Sequence, residues 1–302
     1  MKEGRPLLEV RNLRQHFRLS RSFTVKAVNG VSFEIRQGET YGLVGESGSG
    51  KTTIGRSIIR LYDPTDGVVI FGGREISGTL DRDTRRMLRR DMQMIFQDPM
   101  SSLNPRKKVA DIIGEGLDIH GICSTREERA EIVGRMLQKV GLSPAHAERY
   151  PQQFSGGQRQ RIGIARALVM NPRLIIADEC ISALDVSIQA QVINLMKDIQ
   201  EETGCAYLFI AHDLSMVKYI SDRIGVLHRG YLVETGTTEE IFGDPAHPYT
   251  RSLLSAVPIP SPAAERSRHL LPYDGDGADY EGCAMRKISD THFVMETPGR
   301  KL

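Results

Sequence analysis

The segment Gly45-Glu46-Ser47-Gly48-Ser49-Gly50-Lys51-Thr52 constrains this chain more than any other stretch. It fits G-x-x-x-x-G-K-[ST], between the apolar run Tyr41 to Val44 and a segment with Ile54, Ile58 and Leu61 at i, i+4 and i+7. The spacing predicts a strand, a tight turn and then a helix. Glycines let successive main-chain N–H groups turn inward on phosphate oxygens, and the helix N-terminus adds partial positive charge. Lys51 then reaches the β- and γ-phosphates, and the hydroxyl of Thr52, followed by Thr53, is an oxygen ligand suited to Mg²⁺.

The rest of the chain is consistent with a phosphate ligand held at one place. Its 302 residues are 40% hydrophobic, enough for one large domain or a domain with a satellite. Lys plus Arg is 40 against 38 for Asp plus Glu, so a net charge of +2 predicts no general attraction to nucleic acid. Apolar stretches such as Leu174 to Ala177 fall far short of the ~20 residues that span a bilayer. Met1 to Pro6 lead into mixed polar sequence without a secretory pattern, and a cytoplasmic location is expected. Cys123, Cys180, Cys205 and Cys283 form no CxxC pair, which fits isolated, inert thiols in a reducing compartment.

Three stretches carry the rhythm of an α/β protein with a largely parallel sheet. After the first unit comes Leu174-Ile175-Ile176-Ala177, followed by a helix with Ile188, Val192, Leu195 and Ile199 on one face; the third strand is Tyr207 to Ala211. Between the first two units, Ile132, Val133, Met136, Leu137 and Val140 mark an amphipathic helix, so residues 98–172 read as an inserted helical subdomain. Residues 1–97 and 173–245 are then the core. Beyond Pro245, prolines at 248, 258, 260 and 262 and the tract Asp274-Gly275-Asp276-Gly277 mark a C-terminal extension over 246–302. No internal repeat is visible.

The second strand ends in Asp178 and Glu179, a costly place for two acids unless they face a ligand at the strand's carboxyl end. Beside a phosphate loop, Asp178 holds Mg²⁺ through water and Glu179 polarises the attacking water.

Phe154-Ser155-Gly156-Gly157-Gln158-Arg159-Gln160-Arg161 closely resembles the signature motif of ATP-binding-cassette (ABC) ATPases. Other elements follow in that family's order: Gln97 in Ile95-Phe96-Gln97-Asp98, Ser182-Ala183-Leu184-Asp185 after Glu179, and His212 after the third strand. Taken singly, Gln97 reads as a surface residue, Asp185 as a helix cap and His212 as a satisfied core histidine.

The resemblance implies a RecA-like P-loop NTPase core with an inserted helical subdomain and an antiparallel β portion. It implies ATP and Mg²⁺ as ligands, with Gly45 to Thr53 binding ATP and Thr52, Gln97 and Asp178 serving the metal. Glu179, His212 and Gln97 are the catalytic set. Ser155, Gly156, Gly157 and Gln158 contact the ATP of an opposite subunit, and Asp185 links the two facing sites. An aromatic stacks on adenine; Phe17, after an opening strand Leu8 to Val10, is the choice and Phe23 the rival. Phe154 stands where leucine is more usual and Cys180 where proline is common, and neither change removes a ligand.

Gln97-Asp98-Pro99-Met100-Ser101-Ser102-Leu103-Asn104-Pro105 and Asp244-Pro245-Ala246-His247-Pro248-Tyr249-Thr250 resemble the peptide and nickel importer branch. With the core motifs, the resemblance spans about residues 8–262. It implies a second ATP-binding subunit, two transmembrane permease subunits and, indirectly, an extracytoplasmic substrate-binding protein, with this chain peripheral at the cytoplasmic face of the inner membrane. Cys283 stands alone in the extension, so a multi-cysteine iron–sulfur site is unsupported there. Arg82, Arg85, Arg86, Arg89 and Arg90 read first as a solvated helix face and second as a surface for a membrane partner or anionic lipid. A soluble translation or repair ATPase is the rival class; one cassette, no long heptad insertion and no zinc-spaced cysteines argue against it.

Overall fold

The computed structural model describes residues 5–98, 102–182, 184–257, 269–273 and 280–296. Pro99-Met100-Ser101, Ala183, the prolines at 258, 260 and 262 and Asp274-Gly275-Asp276-Gly277 lie outside the described residues. The chain forms two compact units. One takes Ile35–Glu39 and Gly78–Leu208; the other takes Leu7–Glu34, Thr40–Ser77 and the chain from Phe209 on.

The second of these units carries the phosphate loop. Its antiparallel sheet is built from β1 (Leu8–Arg18), β2 (Thr24–Ile35), β4 (Asp66–Phe71) and β5 (Arg74–Glu75), in the order β2-β1-β4-β5. β1 pairs with β4 from Leu8↔Phe71 to Arg14↔Asp66, with a register shift between Arg11 and Arg14 beside the left-handed Asn12 (φ 50). The opening strand therefore runs through a bulge rather than stopping at Val10, and Phe17 lies inside it.

β3 (Thr40–Val44) is buried at every position, as expected of a strand covered on both faces. It pairs in parallel with β9 (Arg223–His228), which pairs antiparallel with β10 (Tyr231–Thr237). The segment read as an extension supplies two more strands: β12 (Phe293–Met295) bonds to β10, and β11 (Met285–Lys287) to β12.

Helix α1 (Lys51–Ile58) follows the loop. Ile54 and Ile58 are fully buried, but Leu61 lies beyond the helix and is 57% exposed. Arg60 enters the left-handed region (φ 62) and donates to Ile76 O and to Asp63 Oδ1, which ends the apolar face one turn early.

The other unit contains α2 (Arg82–Asp91), β6 (Met92–Ile95), α3 (Val109–His120), α4 (Arg126–Lys139), α5 (Gly156–Leu168), β7 (Leu174–Asp178) and α6 (Val186–Thr203). β6 and β7 pair in parallel from Met92↔Leu174 to Ile95↔Ala177. In α4, Val133 and Leu137 face inward; Thr125 caps its start by accepting from Glu128 N. In α6 the buried stripe is Val192, Ile193, Met196 and Ile199, with Ile188 and Leu195 at its half-buried edge. The α2 arginines all face solvent, while Arg86 donates to His120 O at 2.9 Å. β8 (Ala206–Ile210) carries the chain from this unit into the other, and α7 (Leu214–Ile220), α8 (Thr238–Gly243) and α9 (Pro248–Ser255) follow there.

α9 is anchored by Glu234 on β10, which is fully buried. Its Oε1 accepts from Ala246 N (2.7 Å) and lies 2.7 Å from His292 Nε2; its Oε2 accepts from His247 N (3.0 Å). One carboxyl group thus ties together β10, the turn before α9, and the loop leading into β12.

Candidate functional site

The phosphate loop has the geometry its glycines were expected to give. Gly45, Gly48 and Gly50 have φ of 151, 80 and 106. A Cβ at Gly45 would stand 2.1 Å from Leu227 O, and one at Gly50 would stand 2.4 Å from Ala27 O, so side chains are excluded on backbone grounds. At Gly48 a Cβ would meet nothing within 4 Å: the loop opens there. Gly50 precedes Lys51 with no side-chain cap, which leaves the first N–H groups of α1 available to an anion.

Lys51 is 3% exposed and its Nζ donates to Gly45 O and Glu46 O, both at 2.8 Å. Ser49 Oγ is buried without a hydrogen-bond partner among the described residues. An orphaned hydroxyl inside a curve of left-handed glycines fits a phosphate group. Thr52, Gln97 and Asp178 offer a hydroxyl, an amide oxygen and a carboxylate, the oxygen donors that Mg²⁺ takes.

In the other unit, β7 delivers Asp178, 1% exposed, and half-buried Glu179. Glu179 is left-handed (φ 45), an arrangement that costs about 1–3 kcal/mol. Ser182 holds it there, its Oγ and N donating to Glu179 O at 2.8 and 3.2 Å. Gln97, exposed two residues beyond β6, donates from Nε2 to Glu179 Oε2 at 2.9 Å. The two residues, 82 apart in sequence, share one place.

Ser155 begins α5 with a capping box: its Oγ accepts from Gln158 N (3.3 Å), and Gln158 Oε1 accepts from Ser155 N (3.1 Å). A Cβ on Gly157 would lie 2.8 Å from Ile188 Cγ2, so this glycine permits close approach of α5 to α6. Phe154 is buried and packs edge-on to His146, with ring centroids 5.3 Å apart. Asp185 occupies the N-cap position of α6 but its side chain makes no cap bond and faces solvent. The loop before it is fixed by Gln189, whose Nε2 donates to Ile181 O and Leu184 O.

His212 is exposed on the loop after β8, not a core histidine. Phe17 is half-buried, 5.3 Å from Tyr62 in an edge-on pair, and Phe23 is 57% exposed. Cys180 and Cys205 are buried, and burial pushes both thiols up to about 12.

Sequence reasoning missed a cluster around the loop's outer wall. Glu46, Ser47, Gly48 and Ser49 line a cleft of about 280 Å³ with His228, Arg229 and Tyr273. Tyr249 Oη accepts from Glu46 N at 3.0 Å. The tract Asp244 to Thr250 contained that tyrosine, but no local pattern ties it to a loop 203 residues away.

Burial holds His228 and His247 down at about 4, against 6.5 for an ordinary imidazole. The unfolded chain therefore binds protons at these positions between about pH 6.5 and 4 while the folded chain does not. Stability is retained above pH 6.5 and falls as the pH drops through that window. The thermal midpoint should decline from pH 7 to 5, and less steeply in His228→Asn; equal slopes would contradict this.

A family profile described as "ABC transporter" matches residues 28–182, and one described as "Oligopeptide/dipeptide transporter, C-terminal region" matches residues 233–285. The oligopeptide transport ATP-binding protein OppF of Bacillus subtilis (strain 168) is 59% identical over 294 residues, 96% of each chain. The dipeptide transport ATP-binding protein DppF of Lactococcus lactis subsp. cremoris (strain MG1363) is 53% identical, covering 98% of this chain and 96% of that one. Among solved structures, the dimeric ATP-binding cassette MJ0796 in a post-hydrolysis state with ADP and Pi matches with a TM-score of 0.70 and 28% identity, over 76% of this chain and 98% of that one. CbiO1 of Clostridium perfringens, part of the ABC transporter complex cbiONQ, matches at 0.69 and 25% identity, over 79% and 91%. The expected α/β fold with a RecA-like phosphate-loop core is the one shared with these cassettes. The profile match and the identity along whole curated chains place this protein in the ABC transporter family, as one of its ATP-hydrolysing subunits.

Proposed function

We propose that this chain hydrolyses ATP to power an importer of di- or oligopeptides. It sits at the cytoplasmic face of the inner membrane, with a second ATP-binding subunit, two transmembrane permease subunits and, through them, an extracytoplasmic substrate-binding protein. The names of the relatives support the peptide reading. No helix among the described residues is long and apolar enough to cross a membrane, in keeping with a peripheral subunit.

The loop Gly45 to Gly50, through its main-chain N–H groups other than that of Glu46, binds the phosphates together with Lys51 and Thr53, and Phe17 stacks on adenine. Thr52, Gln97 and Asp178 hold Mg²⁺, which when bound neutralises phosphate charge. Glu179 polarises the attacking water and takes its proton, while Gln97 orients that carboxylate and His212 donates to the γ-phosphate. Ser155, Gly156, Gly157 and Gln158 engage ATP held by the opposite subunit, and the uncapped, exposed Asp185 couples the two sites. ATP is bridged by both subunits and ADP is not, so closure follows ATP and opening follows hydrolysis. Residues 98–172 relay that cycle to the permease, 1–97 and 173–245 form the ATP-binding core, and 246–302 are the extension.

The observation that carries the catalytic reading is the Gln97–Glu179 hydrogen bond, which orients the carboxylate of the proposed base at a strand end where its backbone is left-handed. The test is phosphate release by the full chain with its permease. Hydrolysis is expected with Mg²⁺ and should vanish with EDTA, while binding of a fluorescent ATP analogue persists. Undiminished hydrolysis in EDTA would remove the metal from the scheme.

A further inference from the structure

We propose that Tyr249 is a positioning residue for ATP: its hydroxyl, delivered by the C-terminal region, holds the Glu46 N–H and with it the curve of the phosphate loop. This rests on the reading of Gly45 to Thr53 as the ATP site.

A loop with left-handed glycines at 45, 48 and 50 has much conformational freedom to lose, so its shape depends on ties from outside. Gly230 N donates to Ser49 O at 2.9 Å and Lys51 Nζ binds the carbonyls of Gly45 and Glu46. The Glu46 N–H is held differently, by a side chain on α9. Tyr249 is 1% exposed, and its ring lies 4.2 Å from that of His228 and 5.4 Å from that of Tyr273. Tyr280 Oη closes the cluster at 2.8 Å from both His228 Nδ1 and Tyr273 Oη. Burial pushes the Tyr249 phenol up to about 12, so the oxygen stays a neutral acceptor.

The backbone beneath the ring is equally fixed. Tyr249 N donates to His247 Nδ1 at 3.1 Å, and His247 N donates to buried Glu234. Three hydrogen bonds, joined through the residues His247 and Tyr249 themselves, therefore connect Glu234 on β10 with the phosphate loop. The chain after the last cassette motif thereby contributes to the ATP site.

Tyr249→Phe removes the hydroxyl and keeps the ring. Loss of one net hydrogen bond to the loop predicts roughly three- to tenfold weaker binding of a fluorescent ATP analogue by the full chain. KM for ATP rises in step, while kcat at saturating ATP is retained and the unfolding midpoint stays near that of the parent. In the unsubstituted chain without nucleotide, the Glu46 amide should exchange with solvent more slowly than that of Gly48. Equal affinity of parent and variant, or equally fast exchange at Glu46 and Gly48, would overturn the proposal. So would a fall in kcat together with the unfolding midpoint, which would make Tyr249 a folding residue. Failure of the parent chain to bind the analogue would instead remove the ATP-site reading itself.

Discussion

Replacing Glu179 by glutamine is expected to lower ATP turnover by about 10²–10⁴-fold, the contribution of a positioned general base. The substitution is close to isosteric, and its amide oxygen can still accept from Gln97 Nε2, which stands 2.9 Å from the parent carboxylate. The strained backbone is held through the main-chain carbonyl that Ser182 grips, so it too should persist. What disappears is the capacity to take a proton from water. ATP binding is retained, and the nucleotide-bridged dimer, no longer opened by hydrolysis, accumulates. Single-turnover phosphate release and size-exclusion chromatography in ATP check both halves; rapid turnover by the variant would remove Glu179 from its role.

The second large effect concerns stability. Glu234→Ala deletes one fully buried carboxyl group that serves Ala246 N, His247 N and His292 Nε2 together. Breaking such a buried set leaves its former partners without a replacement, at a cost of about 2–5 kcal/mol. Urea denaturation should move to lower concentration accordingly, and Glu234→Gln should recover part of the loss, because its amide keeps one acceptor oxygen. An unchanged midpoint in the alanine variant would mean that the clasp between β10, α9 and β12 contributes nothing. Because His247 lies between Glu234 and Tyr249, the same variant should also weaken ATP binding.

Local chemistry explains which parts of this architecture were legible in the sequence. The phosphate loop is a contiguous motif whose glycines have backbone reasons to be there, and β3, β7 and β8 are largely apolar runs buried at every position. Periodicity misled where chain geometry intervened. Leu61 continued the spacing of Ile54 and Ile58, yet the left-handed Arg60 had already ended the helix. The opening strand continued past Val10 because a bulge at Asn12 absorbs the irregularity, which places Phe17 within the strand.

Long-range pairings carried no local signal. β11 is three exposed residues, and its neighbour β12 is tied to β10 in part by His292, 58 positions from Glu234. Asp185 illustrates the converse: its position suggests a cap, and in the folded chain its side chain makes none.

The most direct measurement is affinity purification of tagged Glu179→Gln protein from detergent-solubilised cells in ATP, with copurifying chains identified by mass spectrometry. Two multi-spanning membrane proteins, with or without a second ATPase, are the predicted companions, and their recovery should require ATP-competent protein. Recovery of ribosomes or DNA-repair proteins without membrane partners would contradict the importer assignment while leaving the ATPase chemistry intact.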